Sequence, residues 1–374
     1  MLVGTLVVPG KSLANNSTFE KIEKNNISQV MGITSGISVR DYINVNNEKV
    51  PLYCTFENKP EAISQIKIEV SELLGKIKQA YNLEELNTSN WKQYKEKANQ
   101  YITEYDAIDN DNENYSKLLL FFDIYENDEQ NEEIKNYNET KRASGIDDEL
   151  AVLLPYDSEA KAVQEFNTKA LNFSNSSKML RAYNVNNAIV YANSHATNPN
   201  KSGYGYFATG DCTNFTSQIL EAAGVGQAVY DSEYSGWWHK NNNGNHTYSV
   251  SWIRANTFAR YMGIGMRTNN HWDFSASLQK GDFIGFDRAG DGDMDHNAFV
   301  VDRDNYAGNY NGMNYFDYKV AQHTSNYCAW ASSSKNNWEA LEDYTCIFAR
   351  IRRKYIKKLE KKALVDLLFY LVNL

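Results

Sequence analysis

The chain has 374 residues, of which 42% are hydrophobic and 23% are charged, and these proportions exclude an intrinsically disordered or fibrous protein. A formal charge of -9 argues against nucleic acid as the main partner, because binding phosphates requires a clustered cationic surface. No stretch reaches the roughly 18 apolar residues of a membrane span, so we expect a soluble protein without a transmembrane segment.

Charge and apolar residues are unevenly distributed along the chain. The apolar start, residues 1–9, predicts a core strand, with the remnant of a signal peptide as the alternative. Residues 106–150 carry fourteen Asp and Glu against four Lys and Arg, a net charge of -10, whereas residues 350–362 carry eight basic residues and one Glu. The basic and then apolar tail, residues 352–374, predicts a helix packed on its own domain, with docking on an anionic surface as the alternative.

The first 180 residues predict a mixed, largely helical region without internal repeats or a Pro-rich linker. Two runs predict strands, residues 36–40 and 50–56. Apolar residues at steps of three and four predict helices over residues 63–77, 91–105 and 157–180, and the acidic segment contains an apolar patch at 118–124. From Tyr183 to about Arg350 the sequence is rich in Gly and aromatic residues, which places a domain boundary near residue 180.

The four cysteines are too few and too scattered for a disulfide framework or a Cys-rich zinc site. They are Cys54, Cys212, Cys328 and Cys346. A pairing of Cys328 with Cys346 stays open, although isolated small core residues are the commoner explanation for such thiols.

Residues 210–224 have the pattern of a helix that begins with a nucleophile. Apolar residues recur on one helical face, Asp211 is placed to cap the start, and Gly224 is placed to stop the helix. Cys212 then lies in the first turn, where unpaired N–H groups and the helix dipole favour a thiolate. The same N–H groups could bind the oxyanion that forms when sulfur attacks a carbonyl.

A base for this cysteine is expected from three downstream strands, which the sequence predicts over residues 281–286, 295–302 and 315–324. His296 stands at the entrance of the second strand and can point toward a helix start packed on the sheet. His323 ends the third strand and could orient the ring of His296. His296 is therefore the predicted base.

These residues carry a family resemblance. The runs D-C-T-N-F-x-S-Q, G-D-x-I-x-F and D-H-x-A-x-V-V resemble the family named "putative amidase domain", relatives of the NlpC-type and CHAP cell-wall hydrolases with a papain-like core. The opening Tyr183-Asn184 helix and the pairs Trp237-Trp238 and Ser251-Trp252 also resemble that family. The resemblance covers about residues 183–351 and does not reach the N-terminal half.

The resemblance implies Cys212 as nucleophile, His296 as base, and a polar third residue that falls on His323. Asp211 would help to position the helix start. Asp317 and Asn326 remain alternatives for the third residue, because relatives use His, Asn, Asp or Glu there.

Aromatic and histidine residues between nucleophile and base allow two interpretations. Trp237, Trp238 and Trp252 predict a substrate cleft, with a place in the core as the alternative. The remaining histidines are expected on the surface or at the cleft rim instead of at a metal, because no carboxylate or Cys has ligand spacing with them. They are His239, His246 and His271.

The run from Asp287 to Asp295 is rich in carboxylates. Asp291, Asp293 and Asp295 form a weak candidate for a calcium loop, but the calcium motif is incomplete, and a solvated turn is favoured.

Together these observations predict an α+β protein with three parts. They are a mixed region over 1–180, a papain-like domain of the NlpC or CHAP type over 181–351, and the tail over 352–374. In the papain-like domain, the nucleophile helix is expected to pack on an antiparallel sheet. The predicted function is cysteine-dependent amide hydrolysis, acting on the peptide part of bacterial cell wall, without an organic cofactor or catalytic metal, in a secreted or wall-associated protein. The alternatives are a non-catalytic module that binds wall or surface polymer and a protein-directed deamidase or peptidase.

Overall fold

The computed structural model describes residues 38–105, 108–141, 148–155, 183–310, 312–333, 338 and 347–351. The predicted strand at 1–9, the helix at 157–180, the tail and Cys346 lie outside these residues. Within them the architecture is α+β, with helices packed on antiparallel sheet. None of the helices described is both long and apolar enough to cross a lipid bilayer.

The N-terminal region is a hairpin followed by helices. Strands β1 (Ser38–Val45) and β2 (Glu48–Phe56) pair antiparallel. The helices are α1 (Lys59–Glu69), α2 (Ser71–Tyr81), α3 (Trp91–Tyr105), α4 (Ile108–Lys141) and α5 (Asp148–Leu153). The helix predicted over 91–105 is confirmed, whereas the single helix predicted over 63–77 is two helices. The chain breaks at Val70, whose φ of -117° and ψ of 33° are not helical.

The apolar patch at 118–124 lies on α4 and forms the centre of the N-terminal core. Phe121 and Phe122 are fully buried there. They pack with apolar residues of α1, α2 and α3, so the long acidic helix is fixed along this face. Asp123 is the one charged residue within this patch, and its side chain is buried.

The C-terminal region begins with helices α6 (Val185–His195), α7 (Lys201–Tyr204) and α8 (Cys212–Ala222). A small hairpin follows, β3 (His239–Asn242) and β4 (Asn245–Tyr248), and then α9 (Val250–Ile253), α10 (Ala255–Met262), β5 (Ile264–Thr268) and α11 (His271–Ser277). The last strands are β6 (Phe283–Asp287), β7 (His296–Tyr310), β8 (Met313–Gln322), β9 (Tyr327–Trp330) and β10 (Ile347–Ile351).

One six-stranded antiparallel sheet organises this region, in the order β5-β10-β6-β7-β8-β9. Helices α6, α8 and α10 cover one face through a core that includes Phe215 and Phe299. Helix α11 and Trp338 cover the other face around Phe274 and Phe286. Because successive strand residues alternate between faces, neighbours in β7 or β8 enter different cores.

The loop between β6 and β7, residues 288–295, joins the two regions and is called the acidic loop below. Arg288 forms an ion pair with Asp123 of α4, and both side chains are at least 95% buried. Gln130 of α4 donates to Asp293 at 2.8 Å, and the backbone N–H of Cys54 donates to Asp291 at 3.2 Å. The solvated turn predicted for this loop is therefore wrong, because the N-terminal region covers it.

Candidate active site

Cys212 is the first residue of α8, and 8% of its surface is exposed. Its sulfur accepts backbone N–H groups of Asn297 and Thr213, and Oγ1 of Thr213 lies 3.6 Å away. Burial raises the pKa of the Cys212 thiol, and these donors offset the rise only in part. Burial therefore favours the neutral thiol, contrary to the thiolate that the sequence predicts.

Asp211 precedes α8, but its side chain does not cap the helix as the sequence predicts. Its Oδ1 accepts the backbone N–H of Phe207 at 3.0 Å and the side-chain amide of Asn214 at 2.8 Å. Its Oδ2 lies 2.5 Å from Nδ1 of His323. The carboxylate thus ties the preceding loop, the helix and the end of β8 together, and the N–H groups at the helix start have no side-chain cap.

His296 is the first residue of β7 and is 8% exposed. Its Nε2 lies 3.0 Å from Oε1 of Gln322, and its ring stacks on Phe286 with centroids 5.2 Å apart. Burial lowers the pKa of His296 to about 4, although the bond to Gln322 raises it in part. The ring is therefore neutral near pH 7.

A hydrogen-bond network fixes which ring nitrogen of His296 carries the proton. Oε1 of Gln322 accepts the indole N–H of Trp338 at 2.9 Å, and Nε2 of Gln322 lies 3.2 Å from the carbonyl of Thr324 and 3.4 Å from that of Ser325. Since an indole N–H only donates and a carbonyl only accepts, the amide has one orientation. Oε1 then accepts a proton from Nε2 of His296, and Nδ1 is left as the basic nitrogen.

The strand register explains why Gln322, and not His323, meets His296. Phe299 of β7 pairs with Ala321 of β8, and alternation along both strands puts His296 and Gln322 on one face. His323 belongs to the other face, where its ring stacks on Phe215 of α8 with centroids 3.9 Å apart. The sequence analysis missed Gln322. Because alternate residues of a strand share a face, Gln322 and His323 lie on opposite faces near the end of β8, and both could have been considered as partners of His296.

The two alternatives for the third residue also lie away from His296. Asp317 accepts the hydroxyl of Ser332 at 2.6 Å. Asn326 donates to the hydroxyl of Tyr206 at 3.3 Å. Neither has a hydrogen bond to the imidazole among the described contacts of the site.

Gly285 of β6 lets the strand carrying His296 approach closely. A Cβ at this position would lie 2.9 Å from the carbonyl oxygen of His296 and 2.9 Å from Oδ1 of Asn297. A side chain would therefore push β7 away from β6 at the residue that begins the site.

Cys212 and His296 line one cavity of about 190 Å³ at this end of the sheet. One wall comes from α8, α10 and the acidic loop. The opposite wall comes from the N-terminal region, with Tyr53, Lys95, Asn99, Asp123, Glu126, Gln130 and Leu153. The N-terminal region is thus part of the cavity that holds the predicted nucleophile and base.

Charged groups of both signs line the cavity. Lys95 pairs with Asp123 at 3.0 Å and with Glu126 at 2.6 Å. Burial raises the pKa of Asp293 and of Asp295, and neighbouring carboxylates add to the rise in both. The cavity wall therefore combines an ion-paired N-terminal side with carboxyl groups of the acidic loop.

The tryptophans expected in a substrate cleft lie in the core. Trp237, Trp238 and Trp252 are 1%, 5% and 0% exposed, and none lines the cavity. Trp237 stacks on Trp252 with centroids 4.7 Å apart, and Nε1 of Trp252 donates to Oδ1 of Asn214. The stacked pair of tryptophans therefore packs against α8 and holds it through the hydrogen bond to Asn214.

The other histidines are separate from the cavity. His271 is fully buried, unlike the expected surface position, and its Nε2 lies 2.9 Å from the hydroxyl of Tyr318. His239 and His246 face each other across the small hairpin, with ring nitrogens 2.9 Å apart.

The carboxylates of the weak calcium candidate accept protein N–H groups. Asp291 receives N–H donors on both oxygens, from Cys54, Asn127 and Asp293. Across the part of the chain that the structure describes, no group of three or more His, Cys, Asp or Glu is arranged to hold a metal ion. No disulfide joins Cys54, Cys212 or Cys328 to one another, and the predicted partner of Cys328, Cys346, lies outside the described ranges.

Comparison with known proteins relates the C-terminal region to an amidase-domain family. Residues 182–349 match the family model described as "Putative amidase domain". The chain is 33% identical over 137 residues to "Uncharacterized protein YjcM" of Bacillus subtilis, a stretch that covers 34% of this chain and 29% of that protein. It is 34% identical over 97 residues to "Uncharacterized protein YhbB" of the same organism, covering 25% and 30%.

The chain spans about three tenths of the length of these curated relatives. No solved structure matches it. The family match points to hydrolysis of amide bonds by the C-terminal region.

Proposed function

We propose that the protein is a thiol-dependent amide hydrolase in which Cys212 is the nucleophile and His296 the base. The observation that carries the proposal is the network of Gln322 and Trp338, which leaves Nδ1 of His296 unprotonated in a ring that lines the same cavity as Cys212. The family match of residues 182–349 supports amide bonds as the target.

The proposed reaction starts from a neutral thiol and a neutral imidazole. Sγ of Cys212 attacks the carbonyl carbon of the amide while Nδ1 of His296 takes the thiol proton. The imidazolium then gives this proton to the leaving amine, and a thioester remains. His296 next takes a proton from water, which attacks the thioester and releases the acid and the thiol.

Gln322 and the helix start have supporting parts in this proposal. Gln322 keeps the ring of His296 in the productive tautomer, as the third member of the triad. The uncapped N–H groups at the start of α8 stabilise the oxyanion. None of these steps requires a metal or an organic cofactor.

We propose the peptide part of bacterial cell wall as the substrate and an exported or wall-associated location for the protein. The resemblance to NlpC-type and CHAP hydrolases supports this choice, and the helix-borne cysteine packed on an antiparallel sheet is the arrangement that such a papain-like relationship implies. A purely binding role is less favoured, because the three tryptophans that suggested a polymer groove are buried.

The test is the release of new amino groups from purified peptidoglycan by the full chain. We expect Cys212→Ala and His296→Ala each to lower the rate by roughly 10³-fold. Cys328→Ala is the matched control, because Cys328 is a half-buried free thiol that does not line the cavity. Full activity of Cys212→Ala would overturn the proposal.

A parallel assay of ammonia release from glutamine-rich protein separates wall hydrolysis from protein deamidation. Ammonia without new amino groups, lost in Cys212→Ala, would keep the mechanism and replace the substrate. Binding of peptidoglycan without either product would favour the binding module.

A further inference from the structure

The cavity that holds Cys212 and His296 is lined by three cations, and each of them already has a carboxylate partner. The pairs are Lys95 with Asp123 and Glu126, Arg288 with Asp123, and Arg254 with Glu133. Two further carboxyl groups line the same cavity, those of Asp293 and Asp295. Neither forms an ion pair with a cation among the described residues. The cavity therefore has carboxyl groups in excess of its cations.

Several oxygen atoms on the cavity wall accept no hydrogen bond from the part of the chain that the structure describes. Asp293 is 5% exposed, and its Oδ2 accepts from Gln130 at 2.8 Å, whereas its Oδ1 has no donor there. Oε1 of Gln130 and Oε1 of Glu126 have none either, because the printed contacts of these side chains use their other terminal atoms. A ligand that completes this wall therefore donates hydrogen bonds.

The carboxyl groups of the acidic loop also oppose one another's ionisation. Burial first, and then the nearby charges of Asp291 and Glu126, raise the pKa of Asp293 to about 8. Burial, Asp123 and Asp293 raise the pKa of Asp295. Such shifts arise where negative charge is desolvated without a cation beside it. A positively charged ligand relieves this cost, and the Asp293 carboxyl releases its proton when the ligand binds.

The position and size of the cavity limit where such a ligand lies. The hydrogen bond between Gln130 and Asp293 joins α4 to the acidic loop, so their acceptor oxygens belong to one stretch of the wall. The volume of about 190 Å³ is small beside the roughly 300–1,000 Å³ of ordinary ligand pockets. A single small group fits there, and it lies in the cavity that Cys212 and His296 share.

We propose that Asp293, together with Glu126 and Gln130 of α4, binds a primary ammonium group of the substrate, so that the protein selects amides with a free amino group close to the bond that is cut. An ammonium group supplies both the positive charge and the N–H donors that this wall lacks. The inference rests on the proposed function and names its substrate class. The three residues determine specificity, and two of them come from the N-terminal region.

Binding is measured by isothermal titration calorimetry with the full chain carrying Cys212→Ala, which removes the proposed nucleophile. The probes are peptides released from peptidoglycan, used untreated and after acetylation of their amino groups. Acetylation removes the charge, so we expect the Kd to rise by roughly 10- to 100-fold, the loss of a hydrogen bond to a charged group. Equal affinities for the two forms, or no binding of either, would overturn the inference.

Reductive methylation of the same peptides controls for size. It adds carbon atoms to the amine but keeps its positive charge, so it should weaken binding less than acetylation does. Equal losses from methylation and acetylation would show that the cavity excludes bulk and does not recognise charge, which would overturn the inference.

Asp293→Asn, made in the same Cys212→Ala chain, tests the named carboxyl group. It keeps the size of the side chain and an oxygen for Gln130, but removes the negative charge. We expect the ratio of the two affinities, untreated over acetylated, to fall to about threefold or less. Glu132→Gln is the matched control, because Glu132 lies on α4, is exposed and does not line the cavity. It should keep the parent ratio.

A merely structural role of Asp293 gives a different result. Asp293→Asn would then weaken the binding of both peptide forms equally and leave their ratio unchanged, which would overturn the inference. Failure of the proposed function is recognised separately. The chain with Cys212 intact would then release no amino groups from peptidoglycan, while the preference of the Cys212→Ala chain for peptides with free amines would stand.

Two synthetic peptides distinguish the possible positions of the amine. Alanyl-alanine amide has only an N-terminal amine, and N-acetyl-alanyl-lysine amide has only a side-chain amine. The peptide that binds more tightly identifies the position that the cavity selects. If neither binds better than N-acetyl-alanyl-alanine amide, which has no amine, the inference is wrong.

Discussion

At the scale of single residues, burial decides the resting state of the site. The thiol of Cys212 and the imidazole of His296 both lose water, so burial raises the pKa of the first and lowers the pKa of the second. Both shifts favour the neutral form of the group. In the proposed reaction, proton transfer therefore accompanies attack instead of preceding it.

His296 makes the free energy of unfolding depend on pH. Its pKa is about 4 in the folded protein and near 6.5 in an unfolded chain. As pH falls from about 6.5 to 4, the unfolded chain binds a proton that the folded protein does not bind, so stability falls. The contribution is at most about 3 kcal/mol. Urea unfolding at pH 7, 5.5 and 4.5 should show a shallower decline for His296→Asn.

The control is His195→Asn, at a half-buried histidine at the end of α6. It should decline as steeply as the parent protein. Equal slopes for the parent and His296→Asn would contradict the prediction.

Gln322 sets the proton position on His296 without adding charge. In Gln322→Glu a carboxylate lies next to Nε2 and stabilises the imidazolium, so the pKa of His296 rises. Because the base must be neutral, the acid limb of the activity profile should move upward by on the order of one unit. Activity at about pH 4.5 should fall far more than activity at about pH 9.

Gln322→Met keeps the size and removes the acceptor. It should lower activity at all pH values without moving the acid limb upward. An unchanged profile for Gln322→Glu would show that Gln322 does not orient the base.

At the scale of elements, helices with regular apolar spacing could be predicted from the sequence, whereas the break between two consecutive helices could not. The helix at 91–105 and the buried patch of α4 follow directly from apolar spacing. Val70 lies between α1 and α2 and is an apolar residue that fits the spacing of either helix. The local sequence pattern therefore does not indicate the break. The predicted strand over 50–56 is found as β2 over Glu48–Phe56.

The structure brings the predicted nucleophile and base, Cys212 and His296, to one cavity, and each opens an element within a recognisable run. The hydrogen-bond partner of His296 was not predictable, because choosing between Gln322 and His323 requires the register of β7 against β8, and a shift of one residue exchanges their faces. The buried state of Trp237 and Trp252 likewise depends on packing between distant segments.

The acidic loop contains a carboxyl group whose burial costs stability. Because burial raises the pKa of Asp293, the folded protein retains a proton there that the unfolded chain releases above about pH 4, so stability falls as pH rises. Asp293→Asn keeps an oxygen for the amide of Gln130. We expect its melting temperature to exceed that of the parent, with a larger difference at pH 8 than at pH 4.5.

Asp231→Asn is the matched control, because Asp231 is exposed. It should leave the melting temperature nearly unchanged at both pH values. A lower melting temperature for Asp293→Asn at pH 8 would contradict the expected cost of the buried carboxyl.

At the scale of the whole molecule, an ion pair in the cavity wall connects the two regions. Arg288 and Asp123 are 5% and 3% exposed. Asp123→Asn leaves the guanidinium buried without its carboxylate, which costs about 3–5 kcal/mol. Urea unfolding of the full chain should show this loss as a single cooperative shift of the midpoint.

Glu129→Gln provides the comparison on the same helix. Glu129 pairs with Lys92 at 2.7 Å, but both side chains are more than half exposed, so the change should cost about 0–1 kcal/mol. Equal losses in the two variants would show that the regions are not held together by the buried pair.

The sequence alone could not show that the first half of the chain helps to build the cavity. Lys95 and Gln130 have no motif that relates them to Cys212, and their place on the cavity wall arises only when α3 and α4 pack over the acidic loop. A search confined to residues 183–351, which carry the family resemblance, therefore finds the candidate nucleophile and base. It misses the N-terminal residues that line the same cavity.

The position of β10 has a consequence for the order in which the protein is made. This strand, Ile347–Ile351, pairs with β5 on one side and β6 on the other. While the ribosome adds roughly 5–20 residues per second, β5 and β6 emerge several seconds before the strand that joins them. Their open edges must be shielded during this interval, because unpaired edges invite aggregation. The six-stranded sheet therefore becomes continuous only after residues 347–351 have been made.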